Sequence, residues 1–214
     1  MRTEEARDDR RTHGIRIASV TTESERRAVA RLRYEVYVEE LEYDQQHADH
    51  RASALSEPQD ERSVVFGAFE PDGTAVGTLR VTRANESDPE YGNLFGWRCL
   101  SLLARQEHAM ASKLIVAKQL RGGTLALRII RSGVAWLVRN RIRYCHLETY
   151  DHLLLLYSKL GFVTQGVRTH EPFGKVSHLR LDLKDVKHAK VQRSPLLDLL
   201  ERPEASGFPV RRVG

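Results

Sequence analysis

Hydrophobic and polar residues alternate along the chain with two different periods, and the period predicts the type of element. A period of two over three segments predicts three strands, at 15–20, 63–69 and 74–83. The last two flank Pro71-Asp72-Gly73, a sequence typical of turns, so we expect them to form a hairpin. Between the first strand and the hairpin, we predict a helix that begins at Thr22 or Ser24, both suitable N-caps, and extends to about Leu41.

The second half of the chain combines strand and helix patterns. The predicted elements are a helix at 94–106, a strand at 113–118, a helix at 124–140, a strand at 144–149, a helix at 151–160 and strands at 162–167 and 176–183. The polar, unperiodic segments 43–62 and 85–92 are predicted loops. This order indicates an α/β (α+β) protein with a mixed central sheet flanked by helices, rather than a doubly wound parallel sheet.

Composition predicts one domain with two tails. The chain has 214 residues, of which 41% are hydrophobic and 29% are charged, so it is long and apolar enough for one domain with its own core. We expect a disordered, charge-rich N-terminal tail at 1–13, a folded domain at 14–186 and a basic, Pro-containing C-terminal tail at 187–214.

Charge and hydropathy narrow the classes of function. No apolar run approaches the ~20 residues of a membrane span and no secretory signal is evident, so we expect a cytoplasmic protein without a span. The net charge of +5 suits an anionic partner, but Lys and Arg are dispersed through every segment, so nucleic-acid binding is not expected. Cys99 and Cys145 lack the spacing of a disulfide framework or a zinc site. We expect both cysteines to be reduced and buried, and no metal to be bound.

One segment has the pattern of an anion-binding turn. From Leu114 to Ala126 the chain is predicted to pass from a strand through Gly122 and Gly123 into a helix. Such a turn presents unpaired backbone N–H groups and the positive end of the helix, so a pyrophosphate or phosphopantetheine phosphate would fit there. The spacing matches neither the phosphate loop of mononucleotide-binding proteins nor the dinucleotide fingerprint. An ordinary strand-to-helix turn is the alternative.

A later segment, Tyr157-Ser-Lys-Leu-Gly-Phe162, together with this glycine turn, resembles the GNAT acyltransferase superfamily. In that family the turn reads Arg/Gln-x-x-Gly-x-Gly/Ala, and a later helix ends in Tyr-x-Lys-x-Gly-Phe; Thr124 stands here in place of a glycine. The resemblance implies a GNAT-like fold and a tyrosine, Tyr157, that hydrogen-bonds the sulfur of the leaving thiolate. It also implies a donor site of seven residues: Val116, Ala117, Arg121, Gly122, Gly123, Thr124 and Ala126.

A third set of segments narrows the family. The run from Arg33 to Leu41, the acidic loop and the run from Gly77 to Arg80 resemble the acyl-homoserine-lactone synthases and the related N-acyl amino acid synthases. The resemblance implies that the acceptor and acyl sites are shaped by five residues: Arg33, Tyr37, Glu57, Asp60 and Arg80. Arg33 and Arg80 would grip a carboxylate of the acceptor, or would pair with nearby acidic residues. Met110 lies where lactone synthases carry a glutamate.

The implied reaction is attack of an amine on an acyl thioester. An amine with a pKa of ~8 is mostly protonated at pH 7, but its deprotonation costs only about 1.4 kcal/mol, so one modest base suffices. We predict Tyr157, Glu148 and Asp60 as catalytic residues, with Glu57 and His146 as further candidates for the base. A structural role within the sheet is the alternative for His146.

These patterns predict an N-acyltransferase that moves a fatty acyl group to the amine of an amino acid or small molecule by direct aminolysis. No permanently bound cofactor is expected; the co-substrate is an acyl-phosphopantetheine thioester, carried by coenzyme A or by an acyl carrier protein as partner. Three alternatives stay open: a small-molecule N-acetyltransferase that uses acetyl coenzyme A, an acyl-homoserine-lactone synthase, and a non-catalytic module that binds an acyl carrier protein.

Overall fold

Seven strands form one mixed sheet in the structure, a computed structural model that describes residues 12–170 and 174–201. The nine strands of the described residues are β1 Arg16–Ser19, β2 Ala48–Asp49, β3 Ala54–Leu55, β4 Val64–Phe69, β5 Ala75–Arg83, β6 His108–Val116, β7 Tyr144–Thr149, β8 Val163–His170 and β9 Gly174–Asp182. The order in the large sheet is β1-β4-β5-β6-β7-β9-β8, and β2 and β3 form a separate pair. Helices flank the sheet, so the predicted mixed α/β fold is confirmed.

Strand directions exclude a doubly wound parallel sheet. β1 with β4, β4 with β5, β7 with β9, and β8 with β9 are all antiparallel pairs. β6 and β7 are parallel over three residue pairs, from His108 with Tyr144 to Met110 with His146. The predicted hairpin is present as β4 and β5, and its turn at Gly73 has a φ of 90°, which glycine adopts without strain.

The helices of the described residues are mostly short. They are α1 Glu23–Tyr34, α2 Pro89–Leu94, α3 Leu102–Arg105, α4 Leu125–Arg139, α5 Leu154–Leu160, α6 Val186–Val191 and α7 Leu197–Glu201. The predicted N-cap of α1 is confirmed at Thr22, whose side chain accepts a hydrogen bond from the N–H of Glu25 in a capping box. α1 continues as a π-helix, Glu35–Glu40, up to the predicted end near Leu41.

The described residues form two compact units, and the single domain over 14–186 stays a prediction. The first unit comprises 12–82 and 112–133, and the second comprises 83–111, 134–170 and 174–201. Within the described part of the first unit, β4, β5 and the first half of α4 share a core that includes Phe66, Val76, Leu79 and Ile129. Within the second unit, β7, β8 and β9 pair, and the buried face includes Leu147, Leu160, Leu179 and Leu181.

Two predicted loops contain structure. Segment 43–62 holds the β2–β3 pair and a 3-10 helix, Pro58–Arg62, and it buries Leu55 and Gln59. Segment 85–92 includes the first residues of α2. The polar composition that predicted a loop at 43–62 is explained by charged side chains of this segment that pair with buried arginines.

The helix predicted at 94–106 is wrong. Gly96 adopts a φ of 69° and separates α2 from a 3-10 helix, Trp97–Cys99, which α3 follows. Phe95 and Trp97 are buried in a cluster with Ala84 and Met110, so their hydrophobicity reflects packing within the second unit rather than a helical face. Cys99 is exposed, which corrects the expectation that both cysteines are buried; Cys145 is buried, and burial raises the pKa of its thiol to about 12.

The folded part of the chain extends past the boundary predicted at 186. α6 and α7 lie within the segment predicted as a tail, and Ala189, Leu196 and Leu200 are buried. The Ser194 hydroxyl donates a hydrogen bond of 2.8 Å to the carbonyl of Leu160, which ties this segment to the end of α5. Residues 187–201 are therefore part of the fold. The N-terminal tail up to residue 11, and 202–214, lie outside the described residues.

Candidate active site

Five charged side chains of the first unit form a partly buried cluster. Arg33 Nη1 donates to Asp60 Oδ2 at 2.7 Å, and Arg80 Nη1 donates to Glu57 Oε2 at 2.5 Å and to Asp60 Oδ1 at 3.4 Å. Lys113 Nζ lies 2.6 Å from Glu57 Oε1. The structure therefore brings four of the predicted site residues together and adds Lys113. We call these five residues the charged cluster.

Local structure positions each member of the cluster. Arg33 lies in the last turn of α1, and Arg80 lies on β5, where its Nε also donates to Ser112 Oγ at 3.1 Å. Glu57 and Asp60 hold each other through a capping box, because the N–H of Glu57 donates to Asp60 Oδ2 at 2.9 Å. The 3-10 helix that follows Glu57 has Pro58 at its first position, where a missing N–H costs nothing.

Electrostatic pairing sets the ionisation of the cluster. Burial would raise the pKa of Glu57, but the positive charges of Lys113 and Arg80 and their hydrogen bonds outweigh it and lower this pKa to about 2. The pKa of Lys113 is lowered because burial disfavours its charged form, and the pairing with Glu57 only partly offsets that effect. Glu57 is therefore ionised at neutral pH and is a poor base.

The cluster has more positive than negative members. Three cations, Arg33, Arg80 and Lys113, face two carboxylates, Glu57 and Asp60. Arg33 is only 2% exposed, and its Nε and Nη2 atoms have no hydrogen-bond partner. Because buried donors are nearly always paired, this edge of the guanidinium is available to donate to an anionic oxygen.

The aromatic ring of Tyr37 packs beside Lys113. Lys113 Nζ lies 4.7 Å from the centroid of the Tyr37 ring, and this ring stacks on Tyr43 with 6.4 Å between centroids. Burial raises the pKa of Tyr37 to about 12, so its hydroxyl stays protonated and is able to donate a hydrogen bond at neutral pH.

Asp60 was predicted as a catalytic residue. Its Oδ2 accepts from Arg33 and from the N–H of Glu57, and its Oδ1 accepts from Arg80. Three donors therefore occupy both oxygens of this carboxylate and hold it in one orientation between Arg33 and Arg80. The geometry therefore favours a positioning role for Asp60.

The predicted donor turn has the expected strand–turn–helix structure. β6 ends at Val116, and a 3-10 helix, Lys118–Leu120, leads to Gly122, which has a φ of 80° and open space where a Cβ would lie. α4 begins at Leu125, so the N–H groups of its first turn point back toward this turn. Ala117 instead uses its N–H to pair with the carbonyl of Val76 at 2.9 Å.

Arg121 is held by protein groups. Its Nε donates to the carbonyl of Val116 at 2.9 Å, and its Nη1 and Nη2 atoms donate to the two carboxylate oxygens of Glu40 at 2.5 and 2.7 Å. The side chain of Arg121 thus links the donor turn to the π-helix Glu35–Glu40. Binding of a donor phosphate by Gly122, Gly123, Thr124 and Ala126 stays a prediction.

The other two predicted catalytic residues belong to the second unit. Glu148 lies on β7 and accepts two hydrogen bonds from Arg168 on β8, at 2.5 and 2.7 Å. Tyr157 lies in α5, is 8% exposed and packs edge-on against Phe162 with 5.5 Å between ring centroids. α5 ends, as predicted, at Gly161, which has a φ of 102°. Both oxygens of Glu148 accept hydrogen bonds from Arg168, and the catalytic roles of Glu148 and Tyr157 stay predictions.

Two residues at the site were not predicted from the sequence: Lys113, which belongs to the charged cluster, and Ser112, which accepts a hydrogen bond from Arg80. Lys113 adopts a φ of 55°, which interrupts the regular alternation of β6. A lysine inside an otherwise apolar strand segment was the available signal, because a charge in that position needs a partner. Within the described ranges, no group of three or more His, Cys, Asp or Glu side chains is arranged to hold a metal ion, and no helix is long and apolar enough to span a membrane.

Comparison with known proteins rests on fold alone. No protein-family model matches the chain, and no curated protein matches its sequence. Among solved structures, BjaI, a CoA-dependent acyl-homoserine lactone synthase solved with SAM and isopentyl-CoA, superposes with a TM-score of 0.66 at 18% sequence identity. The match covers 89% of this chain and 99% of BjaI. This chain has a GNAT-like fold.

Two further matches have the same GNAT-like fold. FeeM, an N-acyl amino acid synthase from uncultured soil microbes, matches with a TM-score of 0.62 and 15% identity over 86% of this chain and 97% of FeeM. MesI, a CoA-dependent acyl-homoserine lactone synthase, matches with a TM-score of 0.59 and 18% identity over 83% of this chain and 93% of MesI. The GNAT-like fold of this chain is thus shared with enzymes from both branches that the sequence motifs resemble.

Proposed function

We propose that the protein is an N-acyltransferase that moves an acyl group from a phosphopantetheine thioester to the amine of an amino acid. The observation that carries the proposal is the unused edge of Arg33 in a buried cluster with one excess positive charge. A carboxylate of the acceptor supplies both the missing negative charge and two oxygens for Arg33 Nε and Nη2.

The donor turn supports the second half of the proposal. Gly122 leaves open space above the backbone, and the 15-residue helix α4 begins three residues later with its positive end at the turn. A phosphate of coenzyme A or of a carrier protein's phosphopantetheine fits this arrangement. BjaI is named as a CoA-dependent acyl-homoserine lactone synthase, and FeeM is named as an N-acyl amino acid synthase, so enzymes on this fold support both halves of the proposed reaction.

The proposed step is direct aminolysis. The amine nitrogen attacks the thioester carbonyl carbon, an amide C–N bond forms, the C–S bond breaks, and the electron pair leaves with sulfur as a thiolate. Starting from the ammonium form of the acceptor, the balance is amide, thiol and one released proton. The buried Cys145, with its raised thiol pKa, is unsuited to form an acyl-enzyme.

The test compares acceptors that differ only in the carboxylate. Purified full-length protein is incubated with acetyl, octanoyl and palmitoyl coenzyme A and with either an amino acid or the amine that lacks its carboxylate, and products are identified by mass spectrometry. We expect the amino acid to be acylated with a kcat/KM at least about 10-fold higher than that of the matched amine, because a charged hydrogen bond is lost.

Variants of Arg33 connect that preference to the cluster. Arg33→Lys keeps a positive charge next to Asp60 but removes the planar edge, so the preference for the amino acid should fall while the variant stays folded. Equal rates with both acceptors in the unaltered protein would refute carboxylate recognition by Arg33. Absence of any acylated product with every donor, including acyl carrier protein, would overturn the enzyme assignment itself.

A further inference from the structure

Arg121, the residue directly before Gly122 in the donor turn, is already paired with a carboxylate. Its two terminal nitrogens donate to the two oxygens of Glu40, Nη1 to Oε1 at 2.5 Å and Nη2 to Oε2 at 2.7 Å. Its Nε donates to the carbonyl of Val116 at 2.9 Å, which fixes the plane of the guanidinium. All of these residues belong to the first unit.

A phosphate would compete with Glu40 for the same nitrogens. Carboxylate and phosphate both accept two parallel hydrogen bonds from the fork of a guanidinium. In this structure the fork of Arg121 already has that arrangement with Glu40. A donor phosphate that engages this fork must therefore displace the carboxylate of Glu40.

The pair of Arg121 and Glu40 lies where it can open. The side chain of Arg121 is 40% exposed and that of Glu40 is 25% exposed. Such ion pairs contribute little to stability, because water solvates both groups when they separate. The arginines of the charged cluster, Arg33 and Arg80, are only 2% exposed. Glu40 can thus leave its partner without leaving a charge buried, whereas the carboxylates of the charged cluster cannot.

A rare type of helical turn carries Glu40. Glu40 is the last residue of the π-helix Glu35–Glu40, after which the N–H of Leu41 donates to the carbonyl of Val36 at 3.0 Å. Turns of this type occur mostly at functional sites. The same π-helix carries Tyr37, whose ring contacts Lys113 of the charged cluster. One short segment therefore contacts both the donor turn and the proposed acceptor site.

Neighbouring cations keep Glu40 ionised. The hydrogen bond from Arg121 is the largest cause that lowers the pKa of Glu40, and the charges of Arg121 and Lys118 act in the same direction against a smaller effect of burial. Glu40 therefore carries a negative charge at neutral pH. It neutralises Arg121 and repels other anions that approach the turn.

We propose that Glu40 is a built-in competitor of the acyl donor: it occupies Arg121 in the free protein, and the phosphate of the donor displaces it. This inference rests on the proposed function, because it takes the donor turn as the phosphate site. No covalent bond changes in the exchange. A carboxylate–guanidinium pair is replaced by a phosphate–guanidinium pair, and Glu40 becomes solvated. Glu40 thereby contributes to donor specificity, since a thioester without a phosphate cannot take its place on Arg121.

The first experiment measures donor binding without requiring turnover. Coenzyme A and pantetheine, which has the same thiol arm but no phosphate, are titrated into the full-length protein by isothermal titration calorimetry. Glu40→Gln frees Arg121 and removes a repelling charge, so coenzyme A should bind about 3- to 5-fold more tightly. The affinity for pantetheine should not change.

Glu39→Gln is the matched control, because Glu39 is an exposed neighbour of the same charge in the same π-helix. It should change neither affinity by more than about 2-fold. An unchanged affinity for coenzyme A in Glu40→Gln, or an equal gain in Glu39→Gln, would overturn the proposal.

A double substitution separates displacement from simple repulsion. If phosphate takes Arg121 from Glu40, then Glu40→Gln should tighten coenzyme A binding by a larger factor in the unaltered protein than in Arg121→Gln, where no guanidinium remains to be released. Equal factors in the two proteins would show that Glu40 acts through its charge alone, and they would overturn displacement.

The second experiment observes the release of Glu40 itself. The side-chain carboxyl carbon of Glu40 is titrated by ¹³C NMR with and without coenzyme A. Because the hydrogen bond from Arg121 lowers the pKa of Glu40 in the free protein, bound coenzyme A should raise this pKa toward its ordinary value, and pantetheine should not. A pKa that bound coenzyme A leaves unchanged would show that Glu40 stays on Arg121, and it would refute displacement.

These measurements separate the inference from the proposed function. Coenzyme A that binds while Glu40 stays on Arg121 refutes displacement and leaves the proposed function intact. Coenzyme A that binds neither the unaltered protein nor Glu40→Gln refutes the donor turn as a site for its phosphates, and this inference with it. The acyl-transfer assay with acyl carrier protein then still decides the proposed function.

Discussion

Each carboxylate of the charged cluster pairs with two cations, and Glu57 lies within 2.6 Å of both of its partners. Each of its oxygens faces a different cation, Lys113 at 2.6 Å and Arg80 at 2.5 Å. Because Arg80 is only 2% exposed, its charge depends on partners inside the protein rather than on water. The stability of this unit therefore depends on a few atoms of one carboxylate.

Replacing Glu57 by Gln tests that dependence. The amide keeps the shape of the side chain but removes the carboxylate that pairs with Lys113 and leaves Arg80 with only the longer contact to Asp60, so the free energy of unfolding should fall by about 3 kcal/mol. Urea unfolding followed by circular dichroism measures the change. Glu61→Gln, at an exposed neighbour, is the control and should have an effect below about 0.5 kcal/mol. Equal effects of the two substitutions would show that the ion pairs add nothing.

A single substitution at Tyr157 tests whether its hydroxyl group takes part in catalysis. Tyr157→Phe removes the hydroxyl and keeps the ring that packs against Phe162, so the fold should be unaffected. If the hydroxyl hydrogen-bonds the leaving sulfur, kcat should fall about 10- to 100-fold, because a hydrogen bond to a developing charge is lost. Thioester consumption measured by thiol release decides; an unchanged rate at an unchanged melting temperature would exclude this role.

At the scale of elements, the sequence predicts a strand correctly where its hydrophobic residues follow a single regular period, and less well where polar residues interrupt that period. β7 spans Tyr144–Thr149 as predicted, because its apolar residues face one continuous core. β6 begins at His108, five residues before the predicted start, because His108 and Ser112 are paired polar residues that hide the strand pattern. The sequence motifs name Arg33, Glu57, Asp60 and Arg80, which the structure brings together. The contacts among His108, His146 and His178 could not be predicted, because only the order of the strands brings these residues together.

α4 and β5 approach each other closely at two glycines, Gly133 on α4 and Gly77 on β5. A Cβ on Gly133 would lie 2.6 Å from Leu79 Cδ2, and a Cβ on Gly77 would overlap Ile129 Cδ1 and lie 3.3 Å from the carbonyl oxygen of Ile115. The absence of side chains at these two positions lets the helix lie flat on the strand. Neither contact was evident from hydrophobic periodicity, because glycine contributes nothing to it.

Gly77→Ala should therefore destabilise the protein. The methyl group overlaps a buried isoleucine and a backbone oxygen that has little room to move, so we expect a loss of about 1–3 kcal/mol in the free energy of unfolding. Gly166→Ala is the control, because no atom lies within 4 Å of its added Cβ. Both are compared by thermal and urea unfolding. A Gly77→Ala protein as stable as the control would contradict the close packing.

At the scale of the whole molecule, ionisable groups of both units act in the same direction on acid stability. The lowered pKa values of His108, His146 and His178 mean that the unfolded chain, with a histidine pKa near 6.5, binds more protons below that pH than the folded chain does. The lowered pKa values of Glu25 and Glu57, both about 2, have the same consequence below about pH 4.5.

Stability should therefore decrease in two stages on acidification. The first stage runs from about pH 7 to pH 5 as the unfolded histidines become protonated, and the second runs from about pH 5 to pH 2 as the two carboxylates lose their pairing. Urea midpoints measured across this range report both. His146→Gln should flatten the first stage and leave the second, while Glu57→Gln should weaken the second alone. A midpoint that rises between pH 7 and pH 5 would contradict the assignment.

The last strand of the sheet has a consequence for how copies of the protein meet in solution. β8 is the terminal strand beyond β9, and it exposes Val163 and Val167. Its register shifts between Thr164 and Gly166, and Arg168 on the same strand is drawn to Glu148. An edge strand with regular hydrogen-bonding groups can pair with the equivalent strand of another copy. The extra residue in β8 and the charge of Arg168 disfavour such pairing. The irregular edge thus disfavours fibril-like self-association despite its exposed valines.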